Sequence, residues 1–112
     1  MQNKKYLSLL GLSRRAGKLS MGHDMVLEAV KKHKTKLLIF TSDASKRLEE
    51  DISFSADRYL SDVPCIRIDE TANEIHYTLG YRAAVMSVND SNFATRIIEL
   101  INQEVNEYGD KD

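Results

Sequence analysis

Leu37-Leu-Ile-Phe40 is an unbroken apolar run of four residues, bounded by Lys36 and by Thr41-Ser42. Four residues are too few for a buried helix but suit a strand, and a strand with no polar face must be covered on both sides. This requirement sets the architecture, because amphipathic elements have to lie above and below the run. The flanking segments supply them. Before the run, Val26, Ala29 and Val30 share one helical stripe between His23 and His33. After it, Leu48, Ile52, Ala56 and Tyr59 recur at the same period in a helix that begins at Ser42-Asp-Ala-Ser45.

The alternation continues in both directions. Tyr6, Leu9, Leu10 and Ser13 predict a helix from Lys4 to Ala16, stopped by Gly17, and Lys18–Met21 predict a short strand. Pro64–Ile68 reads as a further strand, which places Cys65 in the core. Thr71 and Glu74 have the spacing of a capping box, in which each satisfies an exposed amide of the other, and Gly80 ends that short helix. Ala83–Val88 is another strand. Ser91 then caps a last helix with the stripe Ala94, Ile97, Ile98, Ile101 and Val105. Helices alternating with strands in this way predict an α/β domain with helices on both faces of a central sheet. The length suits one domain, residues 1–108, with a loose tail at 109–112.

Hydrophobic residues make up 42% and charged residues 29% of the chain, values that suit a folded protein and argue against disorder. No apolar run is long enough to cross a bilayer. The cationic start and short apolar patch of MQNKKYLSLLGLSRRAGK resemble a leader, but Arg14 and Arg15 interrupt the patch, so the stretch reads as an amphipathic helix. One cysteine excludes an internal disulfide and is compatible with a reducing, cytoplasmic setting.

The net charge of −1 hides an asymmetry. Residues 1–36 hold nine cations (Lys4, Lys5, Arg14, Arg15, Lys18, Lys31, Lys32, Lys34 and Lys36) and two acids, Asp24 and Glu28. Of the totals of 16 basic and 17 acidic residues, seven and fifteen remain for the rest of the chain. A basic sector can be a footprint for polyanions or simply a solvated face. Its centre is Gly22-His23-Asp24, a turn where a strand gives way to a helix. The helix start presents unpaired N–H groups and a partial positive charge, and Gly22, lacking Cβ, permits close approach of another backbone. Phosphate or base edges can dock there. An ordinary strand-to-helix turn, with Asp24 complementing the dipole, explains the same residues.

Arg14, Arg15 and Lys18 precede this turn and are candidate phosphate contacts. Lys31, Lys32, Lys34 and Lys36 lie beyond a helix of about twelve residues, roughly 18 Å long, so they and Gly22 cannot share the same phosphates. Lys31 and Lys32 read as complements of the helix C-terminus. His23 can stack on a base. His23, His33 and His76 lack metal spacing, so neither a metal site nor a cofactor is indicated. No phosphate-cradling or nucleophile motif occurs. Asp43 and Asp90 each follow a strand, but helix capping accounts for both, and nothing specifies a reaction, so the chain does not read as an enzyme.

The stretch LLGLSRRAGKLSMGHDMVLEAVKKHKTKLLIFTSDAS, with weaker likeness through Pro64, Gly80 and SVNDSNFA at 87–94, resembles the bacterial YlxQ proteins. These are small relatives of the kink-turn-binding ribosomal proteins named after the archaeal large-subunit protein "L-seven-Ae". The resemblance implies a three-layer α/β/α sandwich around a four-stranded mixed sheet. It also implies binding of structured RNA in the cytoplasm, association with the ribosome or translation, and ribosomal proteins as neighbours. In kink-turn binders the loop opening the second helix carries glycine, any residue, asparagine and glutamate, then lysine three residues on. The glycine corresponds to Gly22, but Asp24, Met25 and Glu28 replace the other three. A second loop covers an extruded base. It corresponds to Ile75 and to Gly80–Ala84, with Tyr81 and Arg82 the expected contacts, and His76 stands where the family often has glycine.

These replacements have physical consequences. Ionised aspartate only accepts hydrogen bonds, whereas asparagine also donates. Met25 cannot read a guanine amino group, and Glu28 repels phosphate where lysine would attract it. The implied contact surface is therefore Arg14, Arg15, Lys18 and Arg82 against phosphates, Asp24 accepting from a base, and His23 or Tyr81 stacking. The same departures fit a scaffold that has lost kink-turn recognition and binds protein instead.

Overall fold

In a computed structural model that describes residues 4–109, side chains alternate along the two central strands and divide the core in two. The chain runs α1 (Lys5–Arg15), β1 (Leu19–Met21), α2 (His23–Lys31), β2 (Leu37–Phe40), α3 (Lys46–Tyr59), β3 (Cys65–Arg67), α4 (Ala72–Leu79), β4 (Val85–Val88) and α5 (Ser91–Gly109). Leu37 and Ile39 of β2, with Met86 and Val88 of β4, meet Tyr6, Leu7 and Leu10 of α1, Ile75 and Leu79 of α4, and Ile97 and Leu100 of α5. Leu38, Phe40 and Val85 point the other way, onto Val26 and Val30 of α2 and Ile52 and Ala56 of α3. The result is a three-layer α/β/α sandwich, and Leu37–Phe40 is fully buried because both its faces are covered.

The sheet has the order β1-β4-β2-β3. β4 pairs antiparallel with β1 and β2, while β2 and β3 are parallel, so the sheet is mixed. The C-terminal ends of β1 and β2 and the N-terminal end of β4 therefore lie along one edge. Gly22, Thr41 and Ala84 stand on it, tied together by Gly22 N–H to Val85 O (2.9 Å) and Thr41 N–H to Ala84 O (3.0 Å).

Local signals account for the helix ends. Ser45 accepts from Leu48 N–H, Thr71 and Glu74 form the reciprocal capping box, and Gly80 closes α4 at φ 84°. Three details differ from the sequence reading. Ser91 is the first residue of α5 rather than its cap; the cap is Asp90, already read as a capping residue, which accepts from Phe93 N–H at 3.0 Å. Asp43 does not cap the helix that follows it. Its Oδ1 accepts from the Thr41 hydroxyl and from Ala72 N–H, which joins the β2–α3 loop to the start of α4. Cys65 is exposed, because β3 is an edge strand and its short run faces outward. In α5 the buried stripe is Ala94, Ile97 and Leu100, with Ile98 and Ile101 half-buried. The side chain of Val105 and residues 110–112 of the expected tail lie outside the described residues.

Candidate nucleic-acid interface

β1 ends where Gly22 donates its last sheet hydrogen bond, and the backbone then turns at φ 92°, ψ 163° into α2. This is a region essentially confined to glycine. Gly22 O accepts from Val26 N–H at 3.0 Å, which closes the first helical turn. No side chain caps α2. The N–H groups of His23, Asp24 and Met25 thus face outward at the positive end of the helix, where an anion or a base acceptor is favoured.

Two other segments converge here. A Cβ placed on Gly22 would lie 4.0 Å from Cε2 of Tyr81, whose half-exposed ring stands beside the turn. Arg14, at the end of α1, donates to Leu79 O at 2.5 Å and lies beside Gly80. The end of α1, the Gly22 turn and the α4–β4 loop thus meet on one side of the molecule. Ile75 does not reach it. That residue is fully buried among the core side chains on the inner face of α4, so it cannot cover an extruded base.

The cations are less available than their sequence positions suggest. Arg14 serves the C-terminus of α4, and Arg82 Nε donates to Asn73 Oδ1 at 2.9 Å. Asp43 lies within reach of the Arg82 charge. Its carboxyl is held below the usual range, first by the Thr41 hydroxyl, then by Ala72 N–H, with Arg82 a smaller contribution. Arg15 is exposed on the last turn of α1. His23 lies between two carboxylates, Nδ1 3.4 Å from Asp24 and Nε2 3.9 Å from Asp51. Asp51, on α3, had no local signal in the sequence and is brought in only by the packing of α2 against α3.

Lys18 is not at the Gly22 turn. It precedes β1, at the opposite end of that strand, and lines a groove with Met25, Glu28, Lys32 and Lys34 along the outer side of α2. Lys32 binds Glu28 at 2.8 Å rather than the helix terminus. That hydrogen bond, with the nearby charges of Lys32 and then Lys34, lowers the Glu28 carboxyl. Met25 is half exposed. Among the described residues no group of three or more His, Cys, Asp or Glu converges on a metal-sized point. The lone Cys65 thiol is raised by partial burial and then by Asp57 and Glu49, which does not favour a nucleophilic thiolate.

The same α/β/α sandwich is found in solved structures of other proteins. The 15.5kD RNA binding protein of Giardia lamblia shares the fold, with a TM-score of 0.65 at 17% identity over 92% of this chain and 90% of that one. A Bacillus halodurans protein of unknown function is nearer, with a TM-score of 0.78 at 28% identity over 89% of this chain and 99% of that one. The RNA-binding protein YlxQ of Enterococcus faecium is 31% identical over 98 residues, 88% of this chain and 92% of the relative. The Bacillus subtilis (strain 168) RNA-binding protein YlxQ is 29% identical over 102 residues, 90% and 99% of the two chains. The chain belongs to the YlxQ family. No family model matches it.

Proposed function

We propose that the chain is a non-enzymatic RNA-binding protein that meets structured RNA at the edge carrying Gly22, acting in the cytoplasm with the ribosome or the translation machinery. The observation that carries the reading is the turn itself. A glycine-only backbone conformation opens an uncapped helix, and a half-exposed tyrosine stands beside it. The names of the YlxQ relatives support the same reading. A phosphate or base acceptor takes the amides of His23–Met25, Tyr81 stacks on a base, and Asp24 accepts from a base amino or imino group. Arg15 reaches phosphate directly. Arg14 and Arg82 do so by exchanging Leu79 O and Asn73 for the RNA backbone.

Filter binding to deproteinised ribosomal RNA at low salt tests this reading, with Tyr81→Ala and Arg82→Glu beside the wild type. Weakening in both, with affinity falling as salt rises, is the expected result. Wild-type-like binding by both variants removes this surface.

A second reading follows from one observation. His23 is flanked by Asp24 and Asp51, and Glu28 stands where kink-turn binders carry lysine. An acidic rim of this kind suits a basic protein partner on a scaffold that has lost RNA. Capture of ribosomal proteins that survives nuclease treatment favours this reading, and nuclease-sensitive recovery favours RNA.

A further inference from the structure

The groove between β1 and α2, about 470 Å³, lies outside the Gly22 turn but opens beside it, since Met25 in the first turn of α2 is one of its walls. Lys18, Lys32 and Lys34 stand round it with a single anion, Glu28, which the lysines hold ionised. Three cations against one carboxylate leave the groove positive by two, and the roughly half negative charge of the α2 C-terminus offsets only part of that.

The floor is polar and held in place. Asn89 Nδ2 donates to Ser20 Oγ at 2.9 Å, while Asn89 Oδ1 lies 2.6 Å from the Ser87 hydroxyl. Ser87 is in turn 2.9 Å from Thr35 Oγ1. Ser87 and Thr35 are buried. Their chain of hydrogen bonds fixes β1, β4 and the approach to β2 beneath the groove, so the cations stand over a preorganised base.

We infer that this groove is a second phosphate track, which receives the backbone of the same RNA strand after it leaves the Gly22 turn. The inference rests on the RNA reading above. α2 has nine residues, about 14 Å, long enough to run past more than one phosphate of a strand. A strand anchored at the Gly22 amides thus reaches Lys32 and Lys34 at the far end of the helix. The track restores, one helical turn further along, the attraction that Glu28 removes.

The test is the salt dependence of filter binding to deproteinised ribosomal RNA. Each phosphate contact adds about 0.7 (single strand) to 0.9 (duplex) to the slope of log affinity against log salt. Lys32→Gln/Lys34→Gln, both on exposed positions, should lower the slope by about 1.4–1.8 and weaken binding more than about tenfold near 0.1 M salt. Lys32→Arg/Lys34→Arg should keep the wild-type slope. Lys5→Gln/Arg96→Gln, on the opposite helical layer, should leave it unchanged. An unchanged slope in the lysine-to-glutamine pair overturns the track while leaving the Gly22 site standing, and so does an equal fall in the Lys5/Arg96 control. A wild-type protein that does not bind the RNA at all removes both readings together.

Discussion

Tyr81 stands against the bare α-carbon of Gly22, with its ring edge 4.0 Å from where a Cβ would be. That spacing is ordinary contact, so the turn is not closed to side chains by crowding. What reserves it for glycine is the backbone angle, φ 92° with ψ 163°. The two residues come from segments almost sixty positions apart, joined through the β1–β4 pairing.

Gly22→Ala should therefore destabilise the fold by about 1–3 kcal/mol through backbone strain alone, because the methyl group itself fits. Urea denaturation measures this. A midpoint equal to the wild type would mean that the turn relaxes to negative φ without loss.

Tyr81→Ala should leave stability almost unchanged, since the ring is half exposed, but cost about 1–3 kcal/mol of RNA affinity if a base stacks on it. Tyr81→Phe should keep most of that affinity, because stacking needs the ring and not the hydroxyl. Equal losses in both variants would move the role to the phenol oxygen.

The Tyr6 hydroxyl donates to Glu70 at 2.5 Å, and Lys4 binds the same carboxylate at 3.1 Å, so α1 is clamped to the start of α4. Tyr6→Phe leaves a buried carboxylate short of one donor and should cost about 1.5–3 kcal/mol. Burial, then the hydrogen bond and charge of Glu70, raise the phenol above its ordinary 10.0. Burial works against Lys4, but the Glu70 hydrogen bond and nearby negative charge prevail and raise it too. Groups with raised folded values stabilise fully below their unfolded values and lose that contribution as pH climbs. The wild-type melting temperature should fall above about pH 10, and more steeply than that of Tyr6→Phe. Parallel alkaline profiles would show that the clamp does not titrate.

Cys65 is exposed yet raised above its ordinary 9.0 by partial burial, with Asp57 and Glu49 adding to the effect. Its reaction with a disulfide reagent at pH 7 should be slower than that of free cysteine and should accelerate as pH rises. Cys65→Ser should change stability by less than about 0.5 kcal/mol. Fast labelling at neutral pH would contradict the assignment.

Much of this molecule was legible locally. The apolar run at Leu37–Phe40 demanded cover on both faces, and α2 and α3 supply it on one side while α1, α4 and α5 supply it on the other. Thr71 with Glu74, and Gly17, Gly22 and Gly80, marked helix ends through backbone requirements that hold whatever the tertiary context. The strand after Pro64 was read correctly, but its burial was not. Apolar character makes a strand plausible without saying whether it is central or at an edge, and β3 turned out to be an edge, which exposes Cys65.

The sequence by itself determined the alternation of elements, their periodicity and the glycine that opens α2, because these depend on interactions within a few residues. Only the tertiary structure decided which charges share a surface. It drew Arg14 onto Leu79, set Asp51 beside His23, and carried Lys18 away from Gly22 to join Lys32 and Lys34. The physical reason is that strand order and helix packing bring together residues tens of positions apart, and no local propensity encodes that pairing.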